Sequence, residues 1–328
     1  MATRKKAYPK TQKAPLKIIS VCFAVLMLLG AAAVSISEWL GGPLPTWDAL
    51  YTMAGLRTDT QLPFDTQNIS AKIHFIDVGQ GTATLLENEG HFALVDAGDT
   101  DCTAVLLAYL QSAGVKKLDY LMLSHPHADH VGAMAKVVQN IPVERMILPD
   151  FTRCEEQPTS AGFARLLEAL ADEKVTTQLA AQGEAYMLGS AEITVAFTGG
   201  PQPDTLNNNS MIFLFTAKGK TCVLPGDAEE KELEAYMDGS TNVKADILAV
   251  SHHGAADAST IAFVSAVKPT YAVISCGVDN RYGHPQQKTL WNLDAVGAAV
   301  YRTDTMGTVV ATIDTNGSIA FTILGKVD

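Results

Sequence analysis

From residue 71 onward the chain settles into short apolar runs separated by polar turns and amphipathic stretches. "AKIHFIDV" (71–78) reads as a strand, and "TATLLENEGHFALVDAG" (82–98) reads as a hairpin turning at Asn88-Glu89-Gly90. A helix is expected around Thr103 to Ala113, a strand at Tyr120 to Ser124, and a helix after Val131. Ser160 to Lys174 carries Phe163, Leu166, Leu167 and Leu170 at helical spacing, which predicts an amphipathic helix.

The second half repeats this alternation. Strand-like "AEITVAF" leads through a polar loop to "MIFLFTA", and a Lys-Gly-Lys turn leads on to "TCVLPGD". The charged helix "AEEKELEAYM" follows, then "ADILAV", a helix near Ser259 to Val267, and "YAVISCG". The chain closes with "TVVATIDTNGSIAFTIL", a hairpin turning at Asn316-Gly317. Mixed strands and helices in both halves predict an α/β fold, an αββα sandwich of two sheets face to face with helices outside.

The first 70 residues do not share this pattern. Residues 1–17 hold six basic residues and no acid, and residues 18–36, "IISVCFAVLMLLGAAAVSI", are uncharged over 19 positions. That length approaches the ~20 residues that span a bilayer. The preceding charges predict a cytoplasmic tail and an extracellular body. An uncleaved membrane anchor is the preferred reading. A cleaved signal peptide is the competitor, because Ile18 to Leu29 has the length of its apolar core and Ala31-Ala32-Ala33 meets its cleavage rule. Residues 37–70, rich in Gly, Pro, Thr and Asp, read as a linker to a domain at 71–328.

An apolar content of 47% is ample for a buried core. The net charge of −11 divides into +6 for residues 1–17 and −17 for the rest, so the body lacks the basic balance of a general nucleic-acid-binding surface. Of the five cysteines, none forms a C-x-x-C pair, which excludes a zinc knuckle or a dense disulfide framework. Cys222 and Cys276 lie in apolar runs and read as buried thiols.

The chemistry concentrates at predicted strand ends. "SHPHADH" places His125, His127, Asp129 and His130 within six positions of a chain with eight histidines. In extended backbone, residues two apart point to one side, so His125 and His127 converge on one ion. Asp129 and His130 converge on a point nearby. Imidazole with carboxylate is the ligand set of zinc and similar divalent metals. "SHHG" adds His252 and His253 behind "ADILAV", "NRYGHP" adds His284 behind "YAVISCG", and "LPGD" puts Asp227 at another strand end. Asp227 also fits a helix cap before "AEEKELEAYM". His74 and His91 lie within strand-like sequence and read as structural or surface residues.

The ordered set "FIDVGQG", "LVDAG", "LSHPHADHVG", "NNNSMIFLF", "LPGD", "SHHG", "NRYGHP" and "YRTDTMG" spans residues 75–307. It resembles the metallo-β-lactamase fold superfamily, and within it the hydrolase-like domain of the ComEC competence proteins and their free-standing relatives. The resemblance implies His125 and His127 as ligands of a first metal, and Asp129 and His130 as ligands of a second. It implies Asp227 as the bridging carboxylate and one histidine of "SHHG", with His253 preferred to His252, as a further ligand. Asp96 matches a position that supports the histidine loop. The expected cofactor is one or two Zn²⁺ ions, with Mn²⁺ or another divalent metal as the alternative.

Two departures stand out. Many two-metal relatives supply a third histidine to the first metal, yet residues 131–226 contain none. The loop there reads "DTLNNNS", as in the ComEC-type branch, and Asn209 and Ser210 become candidates for substrate contact. Thr82 stands where relatives often carry Asp.

The resemblance implies a hydrolase working through a metal-activated hydroxide, with Asp227 orienting it, Asp129 beside it, and Arg281 and His284 on substrate. A phosphodiester is the expected substrate, either DNA or a small or cell-wall ester. Lys218, Lys220, Lys268, Arg281 and Arg302 are candidates for a local basic patch. Two other classes stay open. One is a non-enzymatic component of DNA uptake with a structural metal, and the other is a β-lactamase or lactonase. With one apolar span, the chain alone is not expected to transport DNA.

Overall fold

Strand β1 (Ile69–Phe75) opens the fold, followed by the hairpin of β2 (Thr84–Asn88) and β3 (His91–Val95). The computed structural model describes residues 68–200 and 203–325. The basic tail, the apolar segment 18–36 and the spacer through residue 67 lie outside the described residues. No helix among the described residues is long and apolar enough to cross a membrane. Ile69 and Ser70, expected to end the linker, already belong to β1. The first hairpin turns through Glu89 and Gly90, both at positive φ (52° and 79°), the backbone that follows strand twist in a two-residue turn.

Next come α1 (Thr103–Ser112), β4 (Leu118–Met122), α2 (Ala128–Val131), α3 (Met134–Asn140) and β5 (Val143–Leu148). Helix α4 (Ala161–Asp172) is capped by Ser160, whose hydroxyl oxygen accepts from the Phe163 N–H at 3.2 Å. The same hydroxyl donates to the Pro126 carbonyl at 2.8 Å, so the cap also holds the histidine-rich loop. Strands β6 (Thr176–Leu179), β7 (Ala185–Leu188), β8 (Ala191–Phe197), β9 (Ile212–Ala217) and β10 (Lys220–Leu224) lead to α5 (Glu230–Gly239). Then follow β11 (Ile247–Ala249), α6 (Ile261–Val267), β12 (Tyr271–Ile274), α7 (Gln287–Ala295) and β13 (Ala299–Arg302). Helix α8 (Thr303–Met306) precedes the closing hairpin of β14 (Val309–Asp314) and β15 (Ile319–Ile323).

Two mixed sheets result. The first has the order β15-β14-β1-β2-β3-β4-β5-β6, the second β13-β12-β11-β10-β9-β8-β7. The sheets do not follow the two halves of the chain, because β14 pairs antiparallel with β1 and carries the C-terminal hairpin into the first sheet. Strands β3 to β6 run parallel, as do β10 to β13. The C-terminal ends of these parallel strands carry Asp96, the 125–130 segment, Asp227, the 251–254 turn and the 277–284 loop.

Period-two alternation sorts side chains between layers. Leu121 and Leu123 face the helices α1, α3 and α4, while Met122 faces the other sheet. In β10, Cys222 and Leu224 pack between the sheets and Val223 packs under Leu233 and Phe263 of α5 and α6. The four described cysteines are free and buried, and none forms a disulfide.

Candidate metal centre

Asp96 is the foundation of the site. It is 1% exposed at the end of β3, with a left-handed φ of 58°. It accepts from the Ser124 N–H at 2.8 Å, the Ser124 hydroxyl at 2.6 Å and the His130 Nδ1–H at 2.8 Å. Once Nδ1–H is committed to Asp96, the Nε2 of His130 is the nitrogen that faces inward. It lies 3.2 Å from Asp227 Oδ1.

His253 is held by the same logic. Its Nδ1–H donates to the Ser275 carbonyl at 2.9 Å. Its Nε2 lies 3.2 Å from Asp129 Oδ2 and 3.5 Å from Asp227 Oδ2. His252 and His253 take consecutive left-handed conformations, φ 50° and 55°, which separate their side chains. His252 is left 3.8 Å from Asp227 and 3.9 Å from Glu229. Asp227 does not cap α5, where Glu229 holds the cap position and no side-chain cap bond forms. The Asp227 N–H instead donates to the buried Ser210 hydroxyl at 3.3 Å, and its carboxylate turns to the histidines.

Two groups of donor atoms converge, His125 with His130 and Asp227, and Asp129 with His130 and His253. Within each group the atoms lie within 4.8 Å of one another. His130 is common to both, whereas the sequence pattern assigns it to the second ion alone. Asp129 and His130 reach the site from the helical turn α2. His127 Nδ1 lies 3.0 Å from His125 Nε2, but His127 belongs to neither group among the described residues.

Electrostatics tie the cluster together. Burial favours neutral His125 and, with His130 beside it, holds it well below the usual imidazole range. Burial acts the same way on His130, but Asp227 and Asp96 outweigh it and raise His130 well above that range. Burial also opposes charge on His253, yet Asp227 and Asp129 push it up to about 10. Burial would raise Asp227, but His130 and His253 hold its carboxyl well below the carboxylate range. His130 Nε2, His253 Nε2 and Asp227 Oδ1 are all buried without a hydrogen-bond partner among the described residues. Orphaned imidazole nitrogens around an orphaned carboxylate oxygen fit a divalent cation.

The remaining candidates stand around this centre. The His284 ring stacks 6.2 Å from that of His253, with Tyr282 stacked 5.5 Å from His284. Burial, then His253 and His252, lower the basicity of His284. Arg281 is exposed and donates to the Tyr282 hydroxyl at 2.6 Å. Asn209 is fully buried and donates to the Asp150 carbonyl at 3.3 Å, while Ser210, also fully buried, supports Asp227. Lys218 and Lys220 stand where β10 begins, at the end away from the site, and Lys268 likewise precedes β12. Lys220 pairs with Asp246 at 3.0 Å and Arg302 with Asp304 at 2.6 Å. Of the five basic residues, Arg281 is the one at the site edge that makes no ion pair among the described residues, with Asp129 the nearby carboxylate that acts on its charge.

His74 and His91 lie elsewhere, bonded to Tyr109 and Asp119 respectively. Three supporting residues escape the sequence pattern. Ser124 bridges Asp96 and His125, but its letter is only the first of "SHPHADH". Glu229, read as helix charge, accepts from the Asn207 amide at 2.8 Å and the Asn208 amide at 3.3 Å. Ser275 acts through its backbone carbonyl, for which a sequence carries no signal.

Comparison with known proteins gives a consistent picture. The profile described as Metallo-beta-lactamase superfamily matches residues 76–278. ComE operon protein 3 of Bacillus subtilis (strain 168) is 28% identical over 250 residues, covering 71% of this chain and 32% of that protein. Competence protein ComA of Neisseria gonorrhoeae is 25% identical over 293 residues, 88% of this chain and 37% of that protein. The chain thus spans about a third of the length of these curated relatives. The crystal structure of the metallo-beta-lactamase fold protein YhfI from Bacillus subtilis superposes with a TM-score of 0.50 at 13% identity. It covers 77% of this chain and 100% of its own.

Proposed function

This chain belongs to the metallo-beta-lactamase superfamily and is related to the ComEC-type competence proteins, and from that premise we propose that it is a metal-dependent hydrolase acting on a phosphodiester. The observation that carries the reading is the pair of donor groups sharing His130, with their inward nitrogens and the Asp227 oxygen buried and unpartnered. Because His130 Nε2 has a single lone pair, it would serve one ion, either with His125 and Asp227 or with Asp129 and His253, with Asp227 in reach of both sets. The donor set suits Zn²⁺, Mn²⁺ or another divalent metal. Such a metal, when bound, polarises a phosphoryl oxygen and lowers the pKa of water.

The chain's own residues supply position and charge. Asp227 sits at the centre and orients the attacking oxygen. Arg281, which makes no ion pair among the described residues, binds the phosphate charge at the mouth. His284, with an unpartnered Nδ1 among the described residues and lowered basicity, faces the leaving oxygen.

The Neisseria gonorrhoeae relative is named a competence protein, which favours a nucleic-acid backbone among phosphodiesters. The net charge of −17 beyond residue 17 favours a small or cell-wall ester, because backbone-tracking surfaces are usually basic. Hydrolysis of single-stranded DNA, duplex DNA and bis(p-nitrophenyl) phosphate, each with and without chelator, tests the proposal. Chelator-sensitive turnover of at least one ester is expected. No such turnover on any ester would overturn it, and DNA binding without turnover would favour a non-enzymatic uptake component. The basic and apolar stretches of residues 1–36 support an extracellular placement. An alkaline phosphatase fused after residue 70 should then be active, and an inactive fusion would count against that placement.

A further inference from the structure

The motif "FIDVGQG" contributes no donor to the metal centre, yet its loop touches both walls of the site. On one side the Thr82 N–H donates to the Asp129 carbonyl at 3.0 Å. A Cβ on Gly81 would stand 2.6 Å from that carbonyl oxygen, so only glycine allows the approach. On the other side the Gly277 N–H donates to Gln80 Oε1 at 3.1 Å, and a Cβ on Gly277 would stand 2.6 Å from the Gln80 nitrogen. Asn280 then closes the 277–284 loop upon itself. Its amide donates to the carbonyls of Gly277 and His284, at 2.9 and 2.6 Å, and its oxygen accepts from the His284 N–H at 2.9 Å. A continuous path of short contacts therefore runs from Asp129 through Gln80 to His284.

We infer that Gln80 is a positioning residue that fixes the loop carrying Arg281 and His284 relative to Asp129. Its catalytic consequence rests on the phosphodiesterase reading above. Gln80 acts through its oxygen, which accepts from the Gly277 N–H, while its Nε2 has no hydrogen-bond partner among the described residues. An acceptor is therefore what the position requires, and loss of the acceptor frees the loop while leaving the metal donors in place.

Two variants of the metal-loaded protein test this. Gln80→Met keeps the volume and removes the acceptor, whereas Gln80→Glu keeps an acceptor. Gln80→Met should speed amide hydrogen exchange over residues 277–285. It should lower kcat on bis(p-nitrophenyl) phosphate roughly 10- to 100-fold, with metal content unchanged. Gln80→Glu should recover most of both. Unchanged exchange in Gln80→Met, or a Gln80→Glu variant no better than Gln80→Met, would overturn the inference. A wild type that turns over no phosphodiester would defeat the proposed function instead, and the exchange data would still decide the role of Gln80.

Discussion

His130 and Asp96 form a buried pair in which the imidazole Nδ1–H donates to the carboxylate at 2.8 Å. That bond selects the His130 tautomer and aims Nε2 at Asp227. Asp96→Asn retains a residue that tolerates the left-handed φ of 58° but loses the carboxylate. We expect metal affinity to fall roughly 10- to 100-fold, the usual cost of losing such a partner. Competition against a chromophoric chelator measures it, and an unchanged affinity would remove Asp96 from this role.

The two adjacent histidines should separate cleanly. His253 reaches Asp129 and Asp227, at 3.2 and 3.5 Å, while His252 approaches Asp227 only to 3.8 Å and belongs to neither donor group. His253→Ala should therefore lower bound metal per chain well below that of wild type, as should Asp227→Ala, and His252→Ala should retain most of it. Elemental analysis of purified protein decides this. Equal losses for His252→Ala and His253→Ala would contradict the assignment.

Metal binding should release protons. His253 is pushed up to about 10 and His130 is raised well above the imidazole range by the carboxylates beside them, so both rings favour the protonated form when no metal is bound. A metal needs the Nε2 lone pairs, so affinity should rise with pH, by about tenfold per pH unit for each proton displaced. Calorimetric titrations in buffers of different ionisation enthalpy count those protons. A pH-independent affinity between about pH 6 and 9 would argue against the proposed donors.

Glu232 offers a test outside the site. It is 3% exposed, its Oε1 has no partner, and burial, with Asp204 nearby, pushes its carboxyl up to about 8. The folded state then holds a proton that the unfolded chain releases near 4.5. The stabilisation from this group is fully present below that value and is lost as pH rises through about 8. Glu232→Gln should flatten this slope and add ~1–3 kcal/mol of stability in mildly alkaline solution. Urea unfolding at two pH values reads it directly.

The regular strands were legible because their pattern is local. β1, the first hairpin, β4, β8 to β12 and the closing hairpin all follow apolar runs bounded by turn residues. The strands without such a signal are β5, β6, β7 and β13. The last three are sheet edges, and β6 and β13 bury none of their residues fully. Edge strands gain their stability from pairing with a neighbour, which leaves little apolar periodicity to read.

The sequence by itself determined which chemical groups stand at the ends of the strands. The imidazoles and carboxylates of "SHPHADH", "LPGD" and "SHHG" are legible there, because side-chain chemistry is a property of the residue. Only the tertiary structure decided how they combine. It made His130 common to both groups, set His253 nearer than His252 to Asp129 and Asp227 through two left-handed residues, and brought Gln80 against Gly277 across 197 positions of chain. Those outcomes depend on backbone direction and on contacts between segments far apart in sequence, and neither is encoded in any single window of residues.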